Sequence, residues 1–365
     1  MLDLHGHNLE HQFRRNTVPA LQAIAAAALF GVSVPFSKLL LGDIAPVPMA
    51  GFLYLGSGIG LFLWRALHKA DKANCHEAKI VKRDLPWLIG AILAGGIAAP
   101  IVLMVSLKHA PASTASLLLN FEGVATTIIA GAVFKEHVDK RIWGAVLLIT
   151  LASILLSWNT SSQWGFSLSA IGVIAACALW GADNNFTRNI SAKDPLMIVA
   201  VKGLSAGMFS LILAFVIGQP FPHLSYAMIA MFLGCLSYGC SIVFFIWGMR
   251  ELGAARTSAL YGIAPFLGAA FSVFLFREVP GIQFIASLPI MILGTVLLLK
   301  EEHIHLHRHI KIEHEHRHCH NDLHHTHVYQ GSNLSKDGYH SHVHQHNETE
   351  HDHLHTPNIH HRHSH

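Results

Sequence analysis

The sequence predicts an all-α membrane protein with ten transmembrane helices, arranged as two inverted five-helix repeats and followed by a disordered His-rich tail. Hydrophobic residues make up 52% of the 365 residues and charged residues only 13%, against about 25% charged residues in soluble domains. A water-soluble fold of this composition would have to cover its surface with apolar side chains. Ten apolar stretches of spanning length and short matches between the two halves complete the prediction.

The ten predicted spans each approach the roughly 20 apolar residues that cross a hydrocarbon core, in which no backbone polar group can stay unpaired. They are 18–41, 46–67, 85–107, 112–134, 142–158, 167–187, 195–217, 224–249, 254–276 and 282–300. The predicted domains are an N-terminal segment 1–17, a first repeat 18–158, a second repeat 167–300 and a tail 301–365. No small-residue cleavage site precedes the first span, so we expect it to be retained.

The Lys and Arg residues predict the orientation of the chain. If the N-terminus is cytoplasmic, the inner segments hold 15 of these residues and the outer segments hold three, Lys38, Lys108 and Arg277. Cytoplasmic loops carry an excess of Lys and Arg. The prediction is therefore a multi-pass protein of the cytoplasmic membrane with both termini inside the cell.

The chain also repeats itself. Ala-Leu-Phe-Gly at 28–31 matches Ala-Leu-Trp-Gly at 178–181, and the residues around Lys38 match those around Arg188, at an offset of 150. A second set matches at an offset of 142: Ala112, Ser116, Leu118, Phe134, Lys135 and Glu136 with Ala254, Ser258, Leu260, Phe276, Arg277 and Glu278. Each half has an odd number of helices, so the second half is predicted to lie inverted. Inverted repeats are typical of transporters, with the substrate site near the midplane.

These residues carry a resemblance to a known family. The segment from His109-Ala110-Pro111 through Leu117–Glu122 to Phe134-Lys135-Glu136 resembles the EamA repeat of the drug/metabolite transporter superfamily. Leu252–Arg256, Ala264-Pro265 and Arg277-Glu278 resemble it again in the second half. Gly123 stands where the family often has a proline, and Pro265 holds the matching place. The resemblance implies a ten-helix secondary carrier, typically an exporter, and implies little about its substrate.

Ionisable and amide side chains inside the predicted spans are the candidate transport path. Charged groups in a membrane are costly and are usually functional or paired. The candidates are Glu122, Asn120, Asp183, Asn184 and Lys202. Glu122 could coordinate a cation or proton in a central cavity, or could lock helix packing through hydrogen bonds. Asp183 could contact solute or form an ion pair with Lys202. Lys38 and Arg188 are interpreted as side chains that reach the interfaces.

The tail holds 22 of the 30 histidines, many of them alternating with another residue. Imidazole suits nickel, cobalt, zinc and copper ions, so the tail is predicted to bind divalent transition metals as a buffer or sensor, or alternatively to act as a polar or pH-responsive segment. It has too few aliphatic residues to bury a core, so we expect it to be disordered without metal. The predicted ligands are His303, His305, His307, His309, His314, His316, His318, His320, His324, His325, His327, His340, His342, His344, His346, His351, His353 and His355.

Two transport functions are consistent with the sequence. The first hypothesis is export of a divalent transition metal, nickel or cobalt ahead of zinc, collected by the tail. The alternative is export of an amino acid or small metabolite, with the tail as a metal-dependent regulator. Aromatic residues in the spans could then line an organic-solute cavity, or could serve only in helix packing: Trp180, Phe186, Tyr238, Phe245, Trp247 and Tyr261. A membrane-anchored metal buffer is disfavoured by the repeat. No nucleophile–base pair or phosphate-binding loop is present, so the protein is not predicted to be an enzyme, to require a cofactor or to bind nucleic acid. The predicted partners are the lipid bilayer, the transported solute or metal ion, and a possible second copy of the chain in a homodimer.

Overall fold

The computed structural model describes most of the predicted spans and part of the tail. The described residues are 18–67, 79–135, 138, 140–158, 167–190, 193–252, 257, 260–299, 304–308, 312–319, 339–346 and 350–354. Of the tail histidines predicted as ligands, seven lie outside these ranges: His303, His309, His320, His324, His325, His327 and His355.

Ten helical segments are present in the described ranges, and we number them in chain order. They are α1 (Val18–Leu40), α2 (Pro46–Leu67), α3 (Lys82–His109), α4 (Ala112–Ala132), α5 (Lys140–Ser157), α6 (Leu168–Arg188), α7 (Pro195–Val216), α8 (Leu224–Gly248), α9 (Ala264–Phe276) and α10 (Ile282–Leu299). Seven of them, α1–α5, α7 and α8, are long and apolar enough to cross a membrane. The arrangement of ten spans goes beyond these seven and stays a prediction.

Small residues allow the helices to approach closely. A Cβ atom on Gly203 of α7 would lie 2.7 Å from the backbone nitrogen of Gly58 in α2, and one on Gly234 of α8 would lie 1.9 Å from the carbonyl oxygen of Leu53. Helix α2 therefore packs along α7 and crosses α8 with no room for side chains at these points. Close contact through small residues is how helices associate in lipid, where the surrounding chains are as apolar as the helix faces.

The packing pairs helices that hold the same place in the two predicted halves. Helix α2 packs on α7, α4 on α9 and α5 on α10. At the α1–α9 crossing Gly31 meets Ala264, and at the α6–α4 crossing Gly181 meets Ala125. Gly31 and Gly181 are the last residues of the two matching tetrapeptides in the sequence.

Irregular backbone also recurs, at nearly the same spacing as the second set of sequence matches. Two π-helical segments, Ile92–Ala98 in α3 and Cys235–Cys240 in α8, begin 143 residues apart. Among the described residues other than glycine, two adopt left-handed backbone, Lys135 with φ of 56° and Arg277 with φ of 50°, and they are 142 residues apart. Pro100 follows the first π-helical segment, and a proline ring clashes with the carbonyl four residues earlier. The wider turn before Pro100 relieves that clash.

Capping groups and ion pairs hold the helix ends. Asp194 caps α7, accepting hydrogen bonds from the backbone nitrogens of Leu196 at 3.0 Å and Met197 at 3.3 Å, and it also pairs with Arg65 at the end of α2. Lys193 lies 3.7 Å from the carboxylate of Asp84 at the start of α3. These contacts join the end of α2 to the start of α7, and the segment before α7 to the start of α3.

The described part of the tail forms four short strands, whereas no regular structure is expected there from the sequence. Strand β1 (Ile304–Arg308) pairs antiparallel with β4 (Glu350–Leu354), and β2 (Ile312–Cys319) pairs antiparallel with β3 (Tyr339–His346). The physical reason is the alternation of the sequence, because a period of two residues matches the pleat of a strand. The register places His314 opposite His344 and His316 opposite His342.

Candidate functional site

A carboxylate and two polar side chains meet between α4 and α6. The side-chain nitrogen of Asn184 donates to Glu122 Oε1 at 2.9 Å and to the hydroxyl oxygen of Thr126 at 3.1 Å. The Thr126 hydroxyl in turn donates to the carbonyl of Glu122 at 2.8 Å. Glu122 is half-buried and Asn184 is exposed, so the carboxylate keeps a side open to whatever fills the space around it.

Helix α4 is interrupted just before this carboxylate. Residues 119–120 form a turn in which the nitrogen of Glu122 bonds to the carbonyl of Leu119 at 3.1 Å, in place of the usual longer-range helical bond. The side chain of Asn120 donates to the carbonyl of Leu117 at 2.9 Å and accepts from the Thr295 hydroxyl of α10 at 3.2 Å. Asn120 thus stabilises the interruption and ties it to α10. Interrupted helices commonly surround the substrate sites of transporters.

An ion pair lies one helix away from Glu122. The ammonium group of Lys202 in α7 contacts the carboxylate of Asp183 in α6, which is only 4% exposed. The hydroxyl of Thr187 donates to the other Asp183 oxygen at 3.0 Å. The predicted pairing of Asp183 with Lys202 is present in the structure. A buried carboxylate needs such a partner, because an uncompensated buried charge is strongly destabilising.

Gly95 in the π-helical part of α3 is where α2, α3 and α6 meet. Its carbonyl accepts hydrogen bonds from the Tyr54 hydroxyl at 2.7 Å and from the Trp180 indole nitrogen at 3.1 Å. A Cβ atom on Gly95 would lie 1.9 Å from Asp183 Oδ2, so only glycine fits between α3 and the ion pair. Because a π-helical turn frees carbonyl groups from their usual partners, this carbonyl can bind side chains from α2 and α6.

A row of aromatic rings lies beside the polar residues. Tyr54 and Tyr238 have ring centroids 5.5 Å apart, Tyr238 and Phe30 5.9 Å, Phe30 and Tyr261 5.7 Å, and Tyr261 and Phe245 4.9 Å. Tyr54 joins these rings to the polar residues, because its hydroxyl binds the Gly95 carbonyl and Gly95 packs against Asp183. We call Tyr54, Tyr238, Phe30, Tyr261 and Phe245 the aromatic row, and Glu122, Thr126, Asp183, Asn184 and Lys202 the polar cluster.

The structure brings together four of the five residues predicted for the transport path. Glu122, Asn184, Asp183 and Lys202 form the polar cluster, and Asn120 adjoins it through the interruption of α4. Tyr54 and Gly95 were not predicted. Tyr54 lies among the small residues of α2, and such a run of small residues predicts a close helix crossing. It does not predict that the Tyr54 hydroxyl binds a carbonyl of α3.

The histidines predicted as metal ligands lie away from the polar cluster in sequence. Eleven of them lie on the described strands: His305, His307, His314, His316, His318, His340, His342, His344, His346, His351 and His353. Within the described part of the chain, no group of three His, Cys, Asp or Glu residues is arranged to hold a metal ion. The role of the tail stays a proposal.

Chemically, the polar cluster and the aromatic row offer different contacts to one small molecule. The Glu122 carboxylate can coordinate a cation or accept hydrogen bonds from an amine. The aromatic faces bind apolar groups and cations through dispersion and cation–π attraction. Asp183 has its charge balanced by Lys202, so the free acceptor capacity is concentrated at Glu122.

Comparisons with known proteins agree with this membrane fold. The model of the EamA-like transporter family matches residues 17–158 and 167–300. An uncharacterized transporter of Methanothermobacter thermautotrophicus (strain Delta H) is 28% identical over 305 residues, covering 79% of this chain and 88% of that protein. A probable 4-amino-4-deoxy-L-arabinose-phosphoundecaprenol flippase subunit ArnE of Pseudomonas fluorescens (strain Pf0-1) is 42% identical over 64 residues, covering 18% of this chain and 55% of that protein.

A solved crystal structure shares the fold with a TM-score of 0.56 and 15% sequence identity, and the match covers 76% of this chain and 94% of that one. With the family match over residues 17–158 and 167–300, the protein is a multi-pass membrane transporter. The chain belongs to the EamA-like transporter family.

Proposed function

We propose that the protein is a secondary carrier of the cytoplasmic membrane that exports a small organic solute bearing an amino group, an amino acid included. The observation that carries the proposal is the half-buried Glu122 carboxylate, held by Asn184 at 2.9 Å, with an aromatic row that reaches the polar cluster where Tyr54 binds the Gly95 carbonyl. An ammonium group fits the carboxylate, and an apolar or aromatic body fits the aromatic row. The two ends of one solute would thus be bound by different helices.

The charge distribution favours an amine over a metal ion at this site. Asp183 is already paired with Lys202, and bringing a divalent cation next to that ammonium group would be opposed by repulsion. The Glu122 oxygen that faces Asn184 is occupied by a hydrogen bond. The partial relative from Pseudomonas fluorescens is named for an amino sugar, which is consistent with an amine-bearing solute.

The proposed transport cycle follows from the two-half architecture. The packing pairs α2–α7, α4–α9 and α5–α10 and the recurring irregular segments are consistent with two inverted repeats. In that arrangement one group of helices rocks against the other and exposes the site to each side in turn. Glu122 would hold a proton or the solute ammonium in alternation, which couples the solute to the proton gradient.

The tail is proposed to bind divalent transition metals and to regulate the carrier. Its 22 histidines, with the alternation described above, offer many imidazole ligands, and imidazole binds nickel, cobalt, zinc and copper. The same observation supports the second candidate function, export of nickel, cobalt or zinc with the tail as collector. Under the first proposal, metal on the tail changes the rate of organic export and is not itself carried.

The test uses the full-length protein in proteoliposomes. Vesicles are loaded with labelled phenylethylamine and a mixture of labelled amino acids, or with Ni²⁺, Co²⁺ or Zn²⁺, and efflux is measured for the full chain and for Glu122→Gln. We expect efflux of at least one amine that requires Glu122 and no metal efflux. Efflux of a metal ion with none of any amine would overturn the proposal in favour of the second candidate.

A further inference from the structure

Lys38 closes the carbonyl end of α3. Its ammonium group, near the end of α1, donates to the carbonyl oxygens of Leu107 at 2.7 Å, Lys108 at 2.9 Å and Ala110 at 2.9 Å. The last carbonyls of a helix have no partner within it and form the negative end of its dipole. One side chain from α1 therefore holds the end of α3 at three points.

Glu278 closes the beginning of α4 a few residues further along. Its carboxylate accepts hydrogen bonds from the backbone nitrogens of Ala112 at 2.9 Å and Ser113 at 3.2 Å, and from the Ser113 hydroxyl. The left-handed backbone of Arg277 ends α9 and precedes this carboxylate. An anionic group at the positive end of a helix is the favourable arrangement.

These contacts join both halves at one surface of the bundle. Lys38 belongs to α1 of the first half and Glu278 follows α9 of the second, and both bind the short connection between α3 and α4. Here the connection is held by two opposite charges acting on backbone groups, which water can replace when the helices part.

Two buried hydroxyls lie close to these contacts in the chain, one next to Lys38 near the end of α1 and one near the start of α4. Ser37 is 0% exposed and Ser116 is 1% exposed, and the hydroxyl oxygen of neither has a hydrogen-bond partner within the described residues. Ser116 faces the α1–α9 crossing, since a Cβ atom on Gly268 would lie 3.1 Å from its hydroxyl oxygen. Buried polar groups are normally hydrogen-bonded. A surface lined with unpaired hydroxyls suits a path that is dry in this state and hydrated in another.

We propose that Lys38 and Glu278 form the external gate of the carrier, closed in this structure, and that α4 separates from α1 and α9 when it opens. This rests on the proposed function only in taking the chain as an alternating-access carrier with Lys38 on the outer side. It does not depend on which solute is carried. When the gate opens, water hydrates the Lys38 and Glu278 side chains and the hydroxyls of Ser37 and Ser116.

The test follows access to position 116 from outside intact cells. Ser116→Cys is introduced into the full-length chain, and its labelling by a membrane-impermeant thiosulfonate is measured as the increment over the chain that retains Ser116. Glu278→Gln keeps the shape of the side chain and removes its charge. We expect labelling about ten-fold faster in Glu278→Gln, because losing charge-assisted hydrogen bonds shifts a two-state equilibrium by that order.

Two controls separate gating from general damage. Asp43→Asn removes an exposed carboxylate from the connection after α1 at the same surface and should leave the labelling rate unchanged. Lys38→Met is the second gate variant and should accelerate labelling as Glu278→Gln does, with both proteins monodisperse after purification. An unchanged rate in both gate variants, faster labelling only from the cytoplasmic side, or failure of both variants to fold would overturn the proposal and leave the contacts a role in folding alone.

Discussion

The polar cluster and the aromatic row occupy corresponding helices of the two halves, yet their chemistry differs. The polar cluster and the Gly95 carbonyl come from α3, α4, α6 and α7. In the aromatic row, Tyr238, Phe30 and Tyr54 come from α8, α1 and α2, and Tyr261 lies in the ninth predicted span, three residues before the start of α9. In the predicted repeat these are the same four places. Glu122 is 142 residues before Ala264, and Asp183 is 150 residues after Ser33. The scaffold is shared, whereas the charged groups lie on one side only.

This difference indicates how a duplicated fold can bind an asymmetric molecule. A site built from two identical halves would present the same groups to both ends of its ligand. Here one side offers a carboxylate and an ion pair, and the other offers aromatic rings. Substitutions confined to the polar cluster or to the aromatic row therefore test whether one side binds charge and the other binds apolar groups.

The largest expected effect comes from breaking the ion pair. Lys202→Met leaves the buried Asp183 carboxylate without its cation, which costs about 3–5 kcal/mol when a buried pair loses one partner. Thermal unfolding of the purified protein should therefore shift strongly downward. Adding Asp183→Asn to Lys202→Met removes the remaining charge and should recover most of that loss. A double variant as unstable as the single one would show that the two groups are not energetically paired.

The next effect is expected at Glu122. Glu122→Gln keeps the size of the side chain and its ability to contact Asn184 but removes the charge, so solute efflux should fall about 10- to 100-fold, the range for a charge-assisted hydrogen bond. Thr127→Val on the same helix is the matched control, since its hydroxyl donates only to the carbonyl of Gly123 at 2.9 Å. Unchanged efflux with normal membrane insertion would return Glu122 to a role in packing.

A smaller effect on stability is expected at the Gly95 carbonyl, where Tyr54 of the aromatic row approaches the polar cluster. Tyr54→Phe removes one of the two donors to the Gly95 carbonyl, and because Trp180 still donates, the cost should be about 1 kcal/mol. Tyr54→Phe combined with Trp180→Phe leaves that buried carbonyl without either bond and should cost more than the sum of the two single changes. Thermal unfolding of the four proteins measures this coupling. Strict additivity would mean that the two donors act independently.

The smallest effect on transport is expected from the tail. A chain ending at Lys300 should retain basal efflux within about two-fold, because surface changes away from the helices rarely alter stability much. It should lose metal binding measured by equilibrium dialysis. Acidification to about pH 5 should release metal from the full chain, because protonated imidazole cannot be a ligand. Loss of all transport on truncation would show that the tail belongs to the carrier mechanism.

Much of the helical framework was predictable, for a physical reason. Spanning helices must be long and apolar, so the bounds of α2, α5 and α7 lie within two residues of the predictions. Charges in such helices also stand out, which is why Glu122, Asp183 and Lys202 were recognised before their contacts were known. The predicted span 254–276 is interrupted by a turn at 262–263 before the helix Ala264–Phe276, and its predicted first residues, 254–256, lie outside the described residues.

The remaining features depend on several helices at once. Neither the π-helical segment at Ile92–Ala98 nor the bonds of Tyr54 and Trp180 to Gly95 can be deduced from any one span. The contacts of Lys38 and Glu278 connect residues far apart in the chain. In the tail, the alternation was interpreted as metal binding or as a polar or pH-responsive segment, although the same period of two residues also favours strands.

Modification of Glu122 by a hydrophobic carbodiimide shows whether this carboxylate binds the amine of the solute. The reagent reacts with half-buried carboxyl groups, and mass spectrometry of peptides containing Glu122 and Asp183 reports each site separately in the full-length protein. The account predicts that Glu122 is modified, that phenylethylamine or a transported amino acid protects it, and that Ni²⁺, Co²⁺ and Zn²⁺ do not. Protection of Glu122 by a metal ion and by no amine would contradict it.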